Sequence, residues 1–194
     1  MTVAAPSVPS ASATRSWSAA DYLQWAEEHE GKFEFANGEV LVMSPERSEH
    51  AVYKGNVFVA LRTSARRDAP DLRVIADGIS VVSPARAVRE PDVTVNIGAP
   101  MRGSVTADRP FLLVEVSSPG SRGSDLNEKL SEYFEIPSVR HYLVVLPSKR
   151  QVVWYERADD GSIATRIVSD GTLTFAPYPL QLSLAECFDD TDFE

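Results

Sequence analysis

Phe111-Leu112-Leu113-Val114-Glu115-Val116-Ser117-Ser118-Pro119 is the stretch on which the reading of this chain turns. A strand buried on both faces reads as an unbroken apolar run, yet this one carries a carboxylate at its fifth position. Burying an ionised carboxyl costs on the order of several kcal/mol unless a metal, a cation or hydrogen bonds compensate it. Glu115 therefore requires a partner. A second acid stands at Pro91-Asp92 and opens the run Asp92-Val93-Thr94-Val95-Asn96-Ile97. A period of two puts Asp92, Thr94 and Asn96 on one face and Val93, Val95 and Ile97 on the other. Two acids on neighbouring strands can share a divalent cation, and without one they repel each other.

The chain has 194 residues, 43% of them hydrophobic, which suffices for a real core. Residues 1–15 are Ala, Ser, Pro and Val with one arginine and predict a flexible tail. Residues 16–188 read as one domain, and 189–194 as an acidic tail. No run approaches the roughly 18 apolar residues of a membrane span, and Met1-Thr2-Val3-Ala4-Ala5-Pro6 has no basic or apolar leader pattern. The expectation is a cytoplasmic protein without a membrane partner. The single cysteine, Cys187, reads as a core filler, and His29, His50 and His141 have no ligand spacing. A net charge of -9 argues against a broad phosphate-coating surface, although arginines gather at Arg62, Arg66 and Arg67, at Arg86 and Arg89, and around Arg102, Arg109 and Arg122.

Local signals set out the elements. Trp17-Ser18-Ala19-Ala20-Asp21-Tyr22 predicts a capped helix to about His29, with Trp17 and Tyr22 as its staple. Asn37-Gly38 predicts a hairpin. Ser44-Pro45 reads as the start of a helix reaching Arg67, with Val52, Val59 and Leu61 at helical spacing. Strands are expected at 72–76 and 79–82 around Asp77-Gly78, then at Asp92, at Glu115, and at 139–146 and 151–156. Between them Ser124 can cap a helix over 125–135, on which Leu126, Leu130, Tyr133 and Phe134 form the apolar stripe. Lys129 falls at the edge of that stripe, where its amine can reach toward the sheet or snorkel into water. No phosphate loop or serine elbow is present.

Asp92 after a proline, Glu115 in Leu-Leu-Val-Glu-Val-Ser-Ser-Pro, and Asp125-Leu126-x-x-Lys129-x-x-x-Tyr133 together resemble the Uma-type restriction endonuclease family of the PD-(D/E)XK superfamily. Phe33-Glu34-x-x-Asn37-Gly38-Glu39, His50 and Val139-x-x-Tyr142-Leu143-Val144 extend the resemblance over about residues 17–185. It implies an α/β (α+β) fold: a restriction-endonuclease-like core of mixed sheet with flanking helices, plus an N-terminal helix and β-hairpin. It also implies a homodimer. Asp92 and Glu115 would hold Mg²⁺, with Mn²⁺ as a substitute, and Asp92, Glu115 and Lys129 would be the catalytic set. Glu39 and His50 are additional cleft residues by the same resemblance. The superfamily's lysine two residues after the glutamate is here Ser117, so Lys129 is its migrated substitute.

The expected activity is a metal-dependent endonuclease hydrolysing phosphodiester bonds, in DNA in preference to RNA. A non-catalytic binding or regulatory protein that keeps the nuclease fold is the alternative, favoured by the net acidity and by Ser117. A phosphoesterase acting on a small substrate is the third reading, and it would need a closed pocket.

Overall fold

The computed structural model describes residues 17–84, 87–118 and 123–189, with the side chains of 123–125 excepted. The tail 1–15, the acidic end from residue 190, Arg86, the loop 119–122 with its Arg122, and the side chains of Ser124 and Asp125 lie outside the described residues.

Helix α1 (Ala19–Glu27) begins in the capping box that its sequence announces. The Asp21 N–H donates to Ser18 Oγ at 3.1 Å, and the Ser18 N–H donates to Asp21 Oδ2 at 2.9 Å. Trp17 packs edge-on against Trp25, whereas Tyr22 stacks on Phe35, so the expected staple residues share a cluster through different partners. Strands β1 (Phe33–Ala36) and β2 (Glu39–Val42) form the hairpin. Asn37 at φ 54° and Gly38 at φ 81° supply the two left-handed residues such a turn needs.

Helix α2 (Ser48–Asp68) starts three residues later than Ser44-Pro45 suggests, because Arg47 is extended and acts as the N-cap. Glu46 stays outside the helix and turns its carboxylate back over it, onto His50 and Lys54. The buried stripe is Lys54, Val57, Leu61, Ser64 and Ala65, and Val59 is exposed on the opposite side.

Strand β3 (Leu72–Ala76) and β4 (Val81–Val82) flank Asp77-Gly78, and both turn residues have positive φ. They do not pair with each other. β4 joins β5 (Val88–Arg89) in a four-stranded sheet ordered β2-β1-β5-β4. β3 belongs to a six-stranded sheet with β6 (Val93–Ile97), β7 (Pro110–Val116), β8 (His141–Leu146), β9 (Gln151–Arg157) and β10 (Ile163–Val168), ordered β10-β9-β8-β7-β6-β3. Asp77-Gly78 is thus a passage between sheets, stabilised by the Gly78 N–H donating to Glu90 Oε1 at 2.7 Å.

β7 and β8 are parallel, joined through helix α3 (Gly123–Glu135), and the other neighbours are antiparallel, so the sheet is mixed as expected. Side chains divide between its faces. Val93, Val95, Leu112, Val114 and Leu143 pack with Val57 and Leu61 of α2 and with the hairpin of β11 (Thr172–Phe175) and β12 (Leu180–Ser183). Leu113, Tyr142 and Val144 pack with Tyr133 and Ile136 of α3. Helix α4 (Leu184–Cys187) closes the first layer, and burial there pushes the Cys187 thiol up to about 12.

His141 is a structural histidine at the start of β8. Its Nε2–H donates to the Ala176 carbonyl at 2.8 Å, and its Nδ1 accepts from Trp154 Nε1 at 3.2 Å, so the fold holds the neutral ring. Burial lowers its pKa. A depressed histidine contributes stability that is full above its unfolded pKa, near 6.5, and lost as pH falls through the folded value. Denaturant titrations at pH 7.5 and 5.5 are expected to show a larger acid loss for wild type than for His141→Gln. Equal losses would overturn this assignment.

Candidate active site

The β6–β7 ladder sets the geometry. Val93 faces Val114, Thr94 faces Leu113, and Val95 faces Leu112, so one further step places Asp92 across from Glu115 at the end of adjacent strands. Glu115 shares its side of the sheet with Leu113 and α3. All seven residues of β7 are buried, Glu115 among them at 8% exposure.

The partner that the buried carboxylate demands comes from α3. Lys129 Nζ donates to Glu115 Oε1 at 3.1 Å, and Tyr133 Oη, one turn on, donates to the same oxygen at 2.6 Å. Lys129 is 3% exposed and does not snorkel. Burial is the larger influence on Glu115 and holds its carboxyl above the usual range against the pull of Lys129, with the negative charge of Asp92 adding to the rise.

Lys129 also meets Glu34 Oε1 at 3.0 Å. Glu34 sits in Phe33-Glu34-Phe35, an acid in an apolar strand, and the reasoning applied to Glu115 would have found it. Its Oε2 accepts from Arg89 Nη1 at 3.0 Å, and Arg89 in turn donates from Nε and Nη2 to the two oxygens of Glu132 at 2.6 and 3.1 Å. Arg89 is 1% exposed, so it is neither a solvated arginine nor part of an open basic cleft.

Asp92 is held differently. Its Oδ2 accepts the Val116 N–H at 2.7 Å and lies 3.3 Å from His50 Nε2. The same His50 nitrogen donates to the Val116 carbonyl at 2.8 Å, while Nδ1 lies 2.6 Å from Glu46 Oε1. Both ring nitrogens face acceptors, which only the imidazolium satisfies, and the hydrogen bond to Asp92 leads the causes that raise His50 to about 9. Lys54 Nζ adds a second cation 2.6 Å from Glu46.

One ligand atom from each of Glu46, His50 and Asp92 lies within 4.8 Å of the others, a set able to hold a metal ion that displaces one of the His50 protons. Two carboxylates and an imidazole suit Mg²⁺ or Mn²⁺, with the nitrogen shifting preference toward Mn²⁺. Asp92 thus belongs both to this cluster and to the Asp92–Glu115 strand pair. Glu39 is exposed at the hairpin, opposite Ala36. The order of motifs pointed to Asp92, Glu115, Lys129 and His50. Nothing in it pointed to Glu46, which lies before α2 and acts only because α2 packs where it does.

Repulsion between Asp92 and Glu115 alone would make Asp92→Asn stabilising in the absence of metal. The Val116 N–H and His50 reverse that expectation. Asp92→Asn is expected to cost about 1–3 kcal/mol in chelator, the scale of a hydrogen bond to a charged group. Urea denaturation measures it, and a variant as stable as wild type would show that repulsion dominates.

Comparison with known proteins agrees with this architecture. A crystal structure described as a putative nuclease belonging to DUF820 from Anabaena variabilis superposes with a TM-score of 0.71 at 12% identity, covering 89% of this chain and 97% of that one. It is a likeness of fold. Two uncharacterized proteins of Synechocystis sp., slr1290 and sll1609, are 27% identical over 143 residues and 28% over 155. These matches cover 73% and 76% of this chain, and 74% and 84% of the relatives. The Uma2 family model, described as "Putative restriction endonuclease", matches residues 19–185, a span that holds every residue of the site above, and the chain belongs to that family.

Proposed function

We propose that the protein is an endonuclease that hydrolyses phosphodiester bonds of DNA, with Asp92 and Glu115 holding Mg²⁺ or, in its place, Mn²⁺. The observation that carries this reading is the buried Lys129 ammonium 3.1 Å from Glu115, on the strand next to Asp92. It stands where a nuclease site needs a cation although position 117 is a serine. A divalent cation bound at the carboxylates supplies charge stabilisation to the phosphate. Lys129, as an ammonium, orients the attacking water, stabilises the negative charge that develops as that water gives its proton to solvent, and offsets charge on the phosphate. Tyr133 and the Val116 N–H fix the Glu115 and Asp92 carboxylates, so neither has to reorganise during the reaction. Glu39 and His50 are further cleft residues in this reading, and the protein works as a cytoplasmic homodimer.

The Glu46–His50–Asp92 cluster favours a variant reading in which the cation sits on the His50 side of Asp92. Cleavage of plasmid and single-stranded DNA in Mg²⁺ and in Mn²⁺ tests both. The expected result is metal-dependent product that Asp92→Ala abolishes. If His50 is a ligand, His50→Ala weakens Mn²⁺ binding more than Mg²⁺ binding. Metal titrated without binding, and no product in either metal with protein in excess, would favour the non-catalytic alternative.

A further inference from the structure

The arginines at the far end of α2 stand apart from the buried network and from the cleft, and they line a concavity. Arg62 and Arg66, with Arg73 of β3, surround about 380 Å³ floored by Ala65, Leu72 and Val74. All three arginines are exposed. Arg73 Nη1 is fixed by the Pro70 and Leu72 carbonyls at 2.5 and 3.0 Å, and the Arg62 guanidinium lies over the Phe58 ring at 5.5 Å. Arg67, by contrast, is occupied by Asp68 at 2.7 Å.

The helix between this cluster and the cleft has a matching surface. At 3.6 residues per turn, Ser48, Ala51, Gly55, Val59, Arg62 and Arg66 fall within about 40° of one line along α2. The line runs from small residues beside His50 to the arginines. No Asp or Glu occurs between His50 and Arg67, in a chain where 28 acids outnumber 19 Lys and Arg. Glu49, at the start of the helix, lies about 120° round from Gly55. Gly55 itself costs helix stability relative to alanine. Among the described residues no atom lies within 4 Å of where its Cβ would sit, so none of them calls for a glycine there. Close approach by the backbone of a ligand does.

We propose that this face of α2, ending in Arg62, Arg66 and Arg73, is the track along which duplex DNA lies, with its phosphates on the arginines, as it leaves the candidate active site. The proposal rests on the nuclease reading above. Arg62 and Arg66 are 12 and 16 residues beyond His50, or about 18 and 24 Å at the helical rise. That spans about 5–7 base pairs at 3.4 Å each. Duplex DNA, with a persistence length of about 150 base pairs, stays straight over such a distance and meets the arginines. A flexible single strand has no such obligation.

The test is binding of labelled duplex and single-stranded DNA, about 30 nucleotides long, in Ca²⁺, followed by anisotropy over a range of salt. Gly55→Gln is expected to weaken duplex binding about tenfold or more without lowering the melting temperature, because it adds bulk at an open helical position. Arg62→Gln with Arg66→Gln and Arg73→Gln is expected to lower the slope of log affinity against log salt by about two to three, near 0.9 per phosphate contact. Mn²⁺ affinity should stay as in wild type for both. Duplex affinity and salt slope equal to wild type in both variants would overturn the track, as would equal losses on single strands. Variants that lose duplex binding while wild type binds but never cleaves would sustain the track and sink the nuclease reading. Wild type that cleaves, with variants that bind as it does, would do the reverse.

Discussion

Arg89→Met lowers the stability of the protein by about 3–5 kcal/mol, the scale for removing one partner from a buried ion pair. The arginine is 1% exposed and donates to Glu132 twice and to Glu34 once. Burial opposes its charge, but Glu132 and Glu34 hold the guanidinium protonated. Methionine can replace the stem but none of the donors. Glu34 would keep Lys129 and the Glu90 N–H at 3.1 Å. The larger penalty therefore falls on Glu132, whose carboxylate loses both of its bonds to Arg89. Adding Glu132→Gln to Arg89→Met should recover a substantial part of the loss, because the neutral amide no longer carries an uncompensated charge. Urea unfolding of the two variants measures this. A loss under about 1 kcal/mol for Arg89→Met would mean that water screens the network.

The same network marks where the sequence was legible and where it was not. Glu115 could be read because it interrupts a long apolar strand, and its partner Lys129 because a helical stripe fixes angles. Glu34 carries the same signal, but its strand is only four residues and leads into a hairpin whose second strand is largely exposed, a pattern that simple alternation also produces. Arg89 lies in a two-residue strand, too short to show a period. Asp77-Gly78 has the backbone of a turn, yet turn chemistry does not say which strands will pair, and the flanking segments enter different sheets. Ser44-Pro45 satisfied every local rule for a helix start, and the competing pull of His50 and Lys54 on Glu46 was invisible without the fold. Beyond β9 no strand was expected: β10 is exposed along nearly its whole length and has no core-facing alternation to read, whereas Leu173 and Phe175 of β11 and Leu180 and Leu182 of β12 do alternate toward the core.

Lys129 decides between an enzyme and a protein that merely keeps the fold. Its ammonium lies 3.1 Å from Glu115 and 3.0 Å from Glu34, so Lys129→Ala leaves two buried carboxylates without their shared cation. Loss of stability by itself would therefore say little about catalysis. Glu34→Gln in the Lys129→Ala background removes one of the two charges and keeps the shape, which allows the rate to be read on folded protein. In that background cleavage is expected to fall by about 10² or more relative to Glu34→Gln alone, the usual scale for an acid/base or charge-stabilising group. Metal affinity should not fall in step, because a departing cation lessens the repulsion that an incoming metal meets. Ser117→Lys returns the charge to the superfamily's position. Ser117 is half-buried and its N–H is donated to Val145, so a longer side chain can leave that backbone bond in place. Partial recovery of the rate would show that charge near Glu115, and not helix α3 as such, is what the reaction uses. A rate within a small factor of the Glu34→Gln parent for Glu34→Gln/Lys129→Ala would reduce Lys129 to a structural counter-ion and remove the catalytic assignment.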